Sequence, residues 1–175
     1  AEQGFMFDIK GSRGFPDKEL LPSVLGLLNS KVAQAFIKIL NPTMTTQVGD
    51  MTRIPVIKAD VDEITLLSKE CIDEAKADWD SFETSWDFKV HPLIRCGGKQ
   101  NSYIKDAFES WALECEKRFR NIKENEEKLN QKFIEIYGLT GEISPEVNEK
   151  YITVSKADLE RDIRSFISYA VGCMF

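Results

Sequence analysis

Residues 20–57 read LLPSVLGLLNSKVAQAFIKILNPTMTTQVGDMTRIPVI, and this stretch decides the fold. Pro22 suits the first turn of a helix, where its missing N–H has no partner to lose. Val24, Leu25, Leu28, Val32, Ala35, Phe36 and Ile39 recur at helical spacing, which predicts one helix with one apolar stripe. Asn29, Ser30, Lys31 and Gln34 fall off that stripe. Pro42 stops the helix, because the residue before a proline avoids α backbone. The polar run that follows holds a turn at Gly49-Asp50 and then a short strand closing on Ile54-Pro55-Val56. Pro55 cannot donate to a ladder, so this strand is expected at an edge. A rigid helix carrying a polar loop and a strand has no chemistry of its own, but it suits the reading of a partner's surface.

Working outward, residues 4–9 alternate loosely around Phe5 and Phe7 and read as a strand, with a turn at Gly11-Ser12-Arg13-Gly14. A second amphipathic helix is expected over 60–80, with Ile64, Leu67, Cys71 and Ala75 inward and Asp60, Asp62 and Glu63 in its first turn. Residues 78–94 are irregular and aromatic, and Trp79, Phe82, Trp86 and Phe88 are expected to pin them to a neighbouring surface. Gly97-Gly98 opens a polar linker. Residues 104–137 form a long charged helix ended by Gly138. Ser144-Pro145-Glu146 begins a short helical turn, 151–154 is extended, and Ser155 with Asp158 caps a last helix. The expected fold class is α+β and mostly helical. A strand-containing recognition subdomain, 1–58, precedes a helical region, 59–175.

At 175 residues and 42% apolar content the chain can bury a core. No apolar run approaches the ~20 residues a membrane span needs, so a membrane is not among the expected partners. The opening residues lack the basic and apolar regions of a signal peptide. Cys71, Cys96, Cys115 and Cys173 form no C-x-x-C pair, and read as reduced thiols of a cytoplasmic protein. The chain opens on strand-like Gly4-Phe5-Met6-Phe7 and stops at Cys173-Met174-Phe175 inside an apolar helical pattern. Both ends are therefore expected to be cut from a longer protein.

Charge is uneven. Residues 1–58 hold seven Lys/Arg against five acids, net +2, and the other residues hold sixteen against twenty-four, net −8. A surface that bound DNA everywhere would not look like this. Any contact with nucleic acid belongs to the first third.

There is no phosphate-binding glycine loop, zinc-protease motif or nucleophile elbow. His91 is the sole histidine and reads as a packed or solvated loop residue rather than a general base. Cys96 is its nearest cysteine in sequence, and nothing points to its activation. Glu124, Glu126 and Glu127 read as the wet side of the long helix, and Asp8, Asp17 and Asp50 have no nuclease-type spacing. No catalytic residue and no metal ligand is therefore expected. The better candidates are Lys10, Arg13, Asn29, Lys31, Thr45, Thr46, Gln47 and Arg53. Lys and Arg neutralise phosphates, while Arg, Asn and Gln can also bond base edges bidentately. The plain alternative is that these residues form the wet side of a small domain.

The run Leu25-Gly26-Leu27-Leu28-Asn29-Ser30-Lys31, with Asn41-Pro42-Thr43, Gln47-Val48-Gly49-Asp50 and Ile54-Pro55, resembles the target-recognition region of bacterial adenine-specific DNA methyltransferases. Residues 78–93, 114–139 and 157–175 resemble the PglX-type methyltransferases of the BREX phage-defence system in particular, so that the likeness covers nearly the whole chain. The resemblance implies a parent that moves a methyl group from S-adenosylmethionine to adenine in double-stranded DNA. The family's Asn-Pro-Pro-aromatic motif is missing, since Asn41-Pro42-Thr43 lacks the second proline and the aromatic that grip a flipped base. The glycine-rich cofactor motif is missing too. The expectation is a recognition segment, inactive alone, that binds DNA and the remainder of its parent, with S-adenosylmethionine held in that remainder. Two further readings stay open. One is a docking module for other defence-system subunits, and the other is the recognition part of a fused restriction endonuclease–methyltransferase.

Overall fold

A computed structural model describes residues 14–43, 47–98 and 103–175. Among the described residues seven α-helices follow in order: α1 Leu21–Asn29, α2 Lys31–Leu40, α3 Val48–Met51, α4 Val61–Trp79, α5 Pro92–Cys96, α6 Ile104–Ile136 and α7 Leu159–Gly172. A 3-10 turn spans Glu149–Tyr151. Among the described residues there is no strand and no sheet. The α+β expectation is therefore corrected to a helical fold. The strand expected over 4–9 lies outside the described residues.

Two compact units divide the chain, and each is drawn from two stretches. The first combines the described residues up to Lys69 with Glu126–Glu146, and the second combines Glu70–Asn125 with Val147–Phe175.

In the first unit the single helix expected over residues 22–40 is two helices, α1 and α2, bent by 67°. The break is at Ser30, whose backbone is extended (φ −73°, ψ 158°). Its hydroxyl donates to Leu27 O at 2.7 Å and accepts from Ala33 N at 3.2 Å, so one side chain closes α1 and caps α2. The bend resets the helical phase. Pro22, Gly26, Leu27, Val32 and Ala33 are buried, while Leu25 and Ile39 of the expected stripe are exposed. Ser30, read as off the stripe, is itself buried.

The strand expected to close on residues 54–56 is also overturned. Residues 48–51 form the helical turn α3, and the chain beyond it has no ladder partner among the described residues. Pro55 has no N–H to give, and its carbonyl accepts from the Tyr137 hydroxyl instead. Phe36 meets the Tyr137 ring edge-on at 5.5 Å. Tyr137 thus anchors both α2 and the chain after α3.

In the second unit α4 and α6 are joined by polar rungs. Glu70 accepts from Asn125 Nδ2 at 2.9 Å, and Glu74 from Asn121 Nδ2 at 3.0 Å. Asp78 lies 3.4 Å from Arg118 Nη1. The acids step by four along α4 while their partners step back along α6, so the two helices run antiparallel here. Arg118 is 4% exposed and also meets Glu114 at 2.9 Å and Glu74 at 3.6 Å. The Trp111 ring lies near both Arg118 and Arg95, at 5.6 and 5.9 Å, and its Nε1 donates to buried Asp162 of α7 at 3.0 Å. Leu93, Ala107, Trp111 and Cys115 form one apolar cluster, and Phe119, Ile122, Ile152 and Val154 another. Burial pushes the Cys115 thiol up to about 12, which keeps it protonated and inert.

The helix ends obey local chemistry. Gly138 takes φ +66° after α6, with Leu139 N donating to Ile134 O and Gly138 N to Glu135 O, a Schellman closure. The cap of α7 is Asp158, accepting from Arg161 N at 2.7 Å, and not Ser155, whose backbone N–H donates to Asp78. Ser144-Pro145-Glu146 is not helical, and the turn lies five residues later at Glu149–Tyr151. Ile152 and Val154 are buried from an extended segment that joins no sheet among the described residues. Glu126, read as part of a wet helix face, is half-buried, and burial beside Glu127 holds its carboxyl above the usual range.

His91 opens α5. It is buried, its Nδ1 accepts from Leu93 N at 3.2 Å, and its ring lies 5.4 Å from Phe166 and 5.9 Å from Tyr169. Burial holds its pKa below the ordinary 6.5, against the charges of Asp162 and Glu83.

Three outcomes are expected. Arg118→Met should cost about 3 kcal/mol in urea unfolding, because it leaves buried Asp78 without its ion-pair partner while Glu114 keeps only Arg95. A loss below about 1 kcal/mol would mean the ladder contributes little. Ser30→Ala should cost about 1 kcal/mol by removal of the α2 cap. In the window below pH 6.5 the unfolded chain takes up a proton on His91 before the folded one does, so stability should fall as pH falls through that window. His91→Asn should flatten this slope in thermal melts, and an unchanged slope would assign it to other groups.

Candidate nucleic-acid interface

The four described candidates for base or phosphate contact fall in two places within the first unit. Asn29 and Lys31 flank the bend at Ser30, while Gln47 and Arg53 flank α3. Lys10, Arg13, Thr45 and Thr46 lie outside the described residues.

The two residues at the bend are already engaged. Asn29 Nδ2 donates back to Leu25 O at 2.9 Å, although the residue is exposed. Lys31 N donates to Asn130 Oδ1 at 2.9 Å, and its ammonium donates to the Glu146 carbonyl. Asn130, buried on α6, donates in turn to Pro145 O at 3.1 Å. Lys31 is thus a strut between α2 and residues 145–146 more than a free cation.

Gln47 and Arg53 are presented differently. Both are exposed, and α3 holds them through Asp50. Asp50 Oδ2 accepts from Asn41 Nδ2 at 2.7 Å and from Gln47 N at 2.9 Å. These two bonds, with the nearby Arg53 charge, hold the Asp50 carboxyl below its usual range. Asn41 Oδ1 also accepts from Thr43 N at 2.9 Å. One carboxylate therefore ties the end of α2 to the start of α3, fixing the residues on both sides of 44–46. Gly49-Asp50, expected from the sequence as a turn, lies within α3, and this tie is not among the expectations. The available signal was the three-residue spacing of Gln47 and Asp50, which suits a side chain reaching back to an N-terminal N–H. Gly49 has ordinary negative φ, in keeping with a helical turn.

Lys18, Lys38 and Lys58 are exposed as well and add to the cations of this stretch, though the candidate set omitted them. Residues 14–58 hold five bases against three acids. The geometry offers a helical, modestly cationic surface with amide and guanidinium donors around α3. Among the described residues no group of His, Cys, Asp and Glu is arranged to hold a metal ion. The four cysteines are free thiols, with Cys115 buried and Cys173 exposed. No single described helix is long and apolar enough to cross a membrane.

No family model matches the chain. Among curated proteins it is 39% identical over 175 residues to the adenine-specific methyltransferase PglX of Lacticaseibacillus casei (strain Zhang). It is 32% identical over 193 residues to the adenine-specific methyltransferase BrxX of Escherichia coli O9:H4 (strain HS). Each match covers 98% of this chain, and the chain spans about 15% of the length of either relative. The resemblance read from the residues therefore stands: the chain belongs with the PglX-type adenine-specific methyltransferases, as a relative of one segment of them.

Proposed function

We propose that this chain is a DNA target-recognition and positioning segment of an adenine-specific, phage-defence methyltransferase, and that it carries no catalysis of its own. The observation that carries this reading is the set of exposed donors around α3, in a chain related to enzymes named for acting on adenine. Exposed Arg53, Lys38 and Lys58 would neutralise phosphates of duplex DNA, while Gln47 has the amide that bonds adenine edges. The Asp50 tie limits the entropy lost when the surface meets DNA, since the flanks of 44–46 are held beforehand.

Methyl transfer needs a grip on a flipped adenine and a seat for S-adenosylmethionine. The chain lacks the Asn-Pro-Pro-aromatic motif, and its described residues contain no strand–loop–helix that would seat a nucleoside cofactor. Both tasks are assigned to other parts of the longer relatives. The residues here would bind and orient DNA for them.

The test is fluorescence anisotropy of the chain with duplex DNA across a salt series. Arg53→Ala should weaken binding and reduce the slope of log K against log salt by about 1, and Arg13→Ala should do the same. Lys31→Ala should matter less for DNA than for stability, because its ammonium is engaged internally. Equal affinity and slope in wild type and both arginine variants would remove the proposed surface.

A further inference from the structure

Four aromatic side chains crowd residues 79–88, and they behave in two ways. Phe82 packs beneath the Arg161 guanidinium at 5.2 Å, and Phe88 meets Tyr169 edge-on at 5.7 Å. These two anchor the segment to α7. Trp79 and Trp86 do not: Trp79 is 58% exposed and Trp86 is 102% exposed. Successive turns from Asp78 O to Ser81 N, Trp79 O to Phe82 N, Phe82 O to Ser85 N and Ser85 O to Phe88 N fix the backbone that carries Trp86. Ser85 Oγ donates to Asp80 Oδ1 at 2.6 Å and accepts from Asp87 N at 3.1 Å. The exposed ring therefore stands on a built turn.

The two tryptophans belong to one short stretch of chain. Lys76 Nζ pairs with Asp87 Oδ2 at 3.1 Å, which brings the chain beside Trp86 back to the turn of α4 that carries Trp79, three residues from Lys76. Exposed indoles contribute little to the core, and rings of this size suit an interface.

Charge selects the occupant. Residues 70–87 carry seven acids and one base. Glu70, Glu74 and Asp78 are spent on α6, but Asp73 and Glu83 are exposed and Asp87 is paired only with Lys76 among the described ion pairs. Phosphate is repelled by such a face, whereas a guanidinium or ammonium gains both the indole quadrupole and the carboxylates.

We infer that the segment carrying Trp79 and Trp86 is a docking site for an arginine- or lysine-bearing segment of a protein partner, with a cation seated on Trp86. Its residues are not those around α3, and it predicts a protein contact in addition to the DNA contact proposed above.

The probe is a labelled arginine-rich peptide, with a glycine/serine peptide of equal length and a DNA duplex as comparisons, titrated against the intact chain. Wild type should bind the arginine peptide and not the glycine/serine peptide, and the Trp emission should shift on binding. Trp86→Ala should weaken the arginine peptide about three- to tenfold, Trp86→Tyr should restore much of that, and DNA affinity should not change in either. Trp86 is fully exposed, so thermal melts of these variants should match wild type. Peptide affinity unchanged in Trp86→Ala would overturn the site, as a merely electrostatic attraction. Weakened DNA binding in Trp86→Ala would overturn it in favour of a nucleic-acid contact.

Discussion

Arg118 is the constraint on which the second unit depends. A guanidinium that is 4% exposed must be matched by charge and by hydrogen bonds, or its burial would cost several kcal/mol. Asp78, Glu114 and, at longer range, Glu74 supply that match. Each partner also does a second task. Asp78 accepts from Ser155 N at 3.2 Å, and so orients the chain before α7. Glu114 grips Arg95 bidentately, with both contacts at 2.9 Å. Burial alone would raise the Glu114 carboxyl, but the two arginines outweigh it and hold it below the usual range. For Asp78 the balance goes the other way, and burial keeps its pKa raised despite Arg118.

This network explains why a helix as charged as α6 can lie in a core. Trp111, Cys115, Phe119 and Ile122 supply its apolar stripe, while Arg118, Asn121 and Asn125 turn toward the acids of α4. Buried polar rungs add less to stability than apolar contacts of equal size, but they fix register: sliding α4 by one residue would leave every rung unpaired. The Trp111–Asp162 bond does the same for α7.

In the first unit, two short side chains carry out the equivalent task. Ser30 breaks what would be one helix, and Asp50 ties α2 to α3. Together they turn a linear apolar segment into a compact helical unit whose polar residues sit at bends and caps. The relation to PglX and BrxX extends over both units, so the recognition reading and the docking reading concern one shared segment and need not compete. The charge division agrees with this, since exposed bases gather near α3 while the exposed indoles stand among acids.

The sequence by itself determined what local chemistry can encode. The course of α4 and α6 followed from their periodicity, the end of α2 from Pro42, and the closure of α6 from Gly138, because each depends on neighbours within one turn. The relationship to adenine methyltransferases was likewise legible in the residues. Tertiary structure alone decided the rest. Leu25 and Ile39 fit a continuous stripe as well as Leu27 and Ala33 fit a broken one, and only packing around a buried Ser30 selects the break. The residues around Ile54 have strand-like side chains, but a strand needs a partner's N–H and C=O groups, and none is offered there among the described residues. Arg118 looks like any surface arginine in a charged helix. Its burial depends on acids forty residues away on α4, a distance that no periodicity along one helix can report.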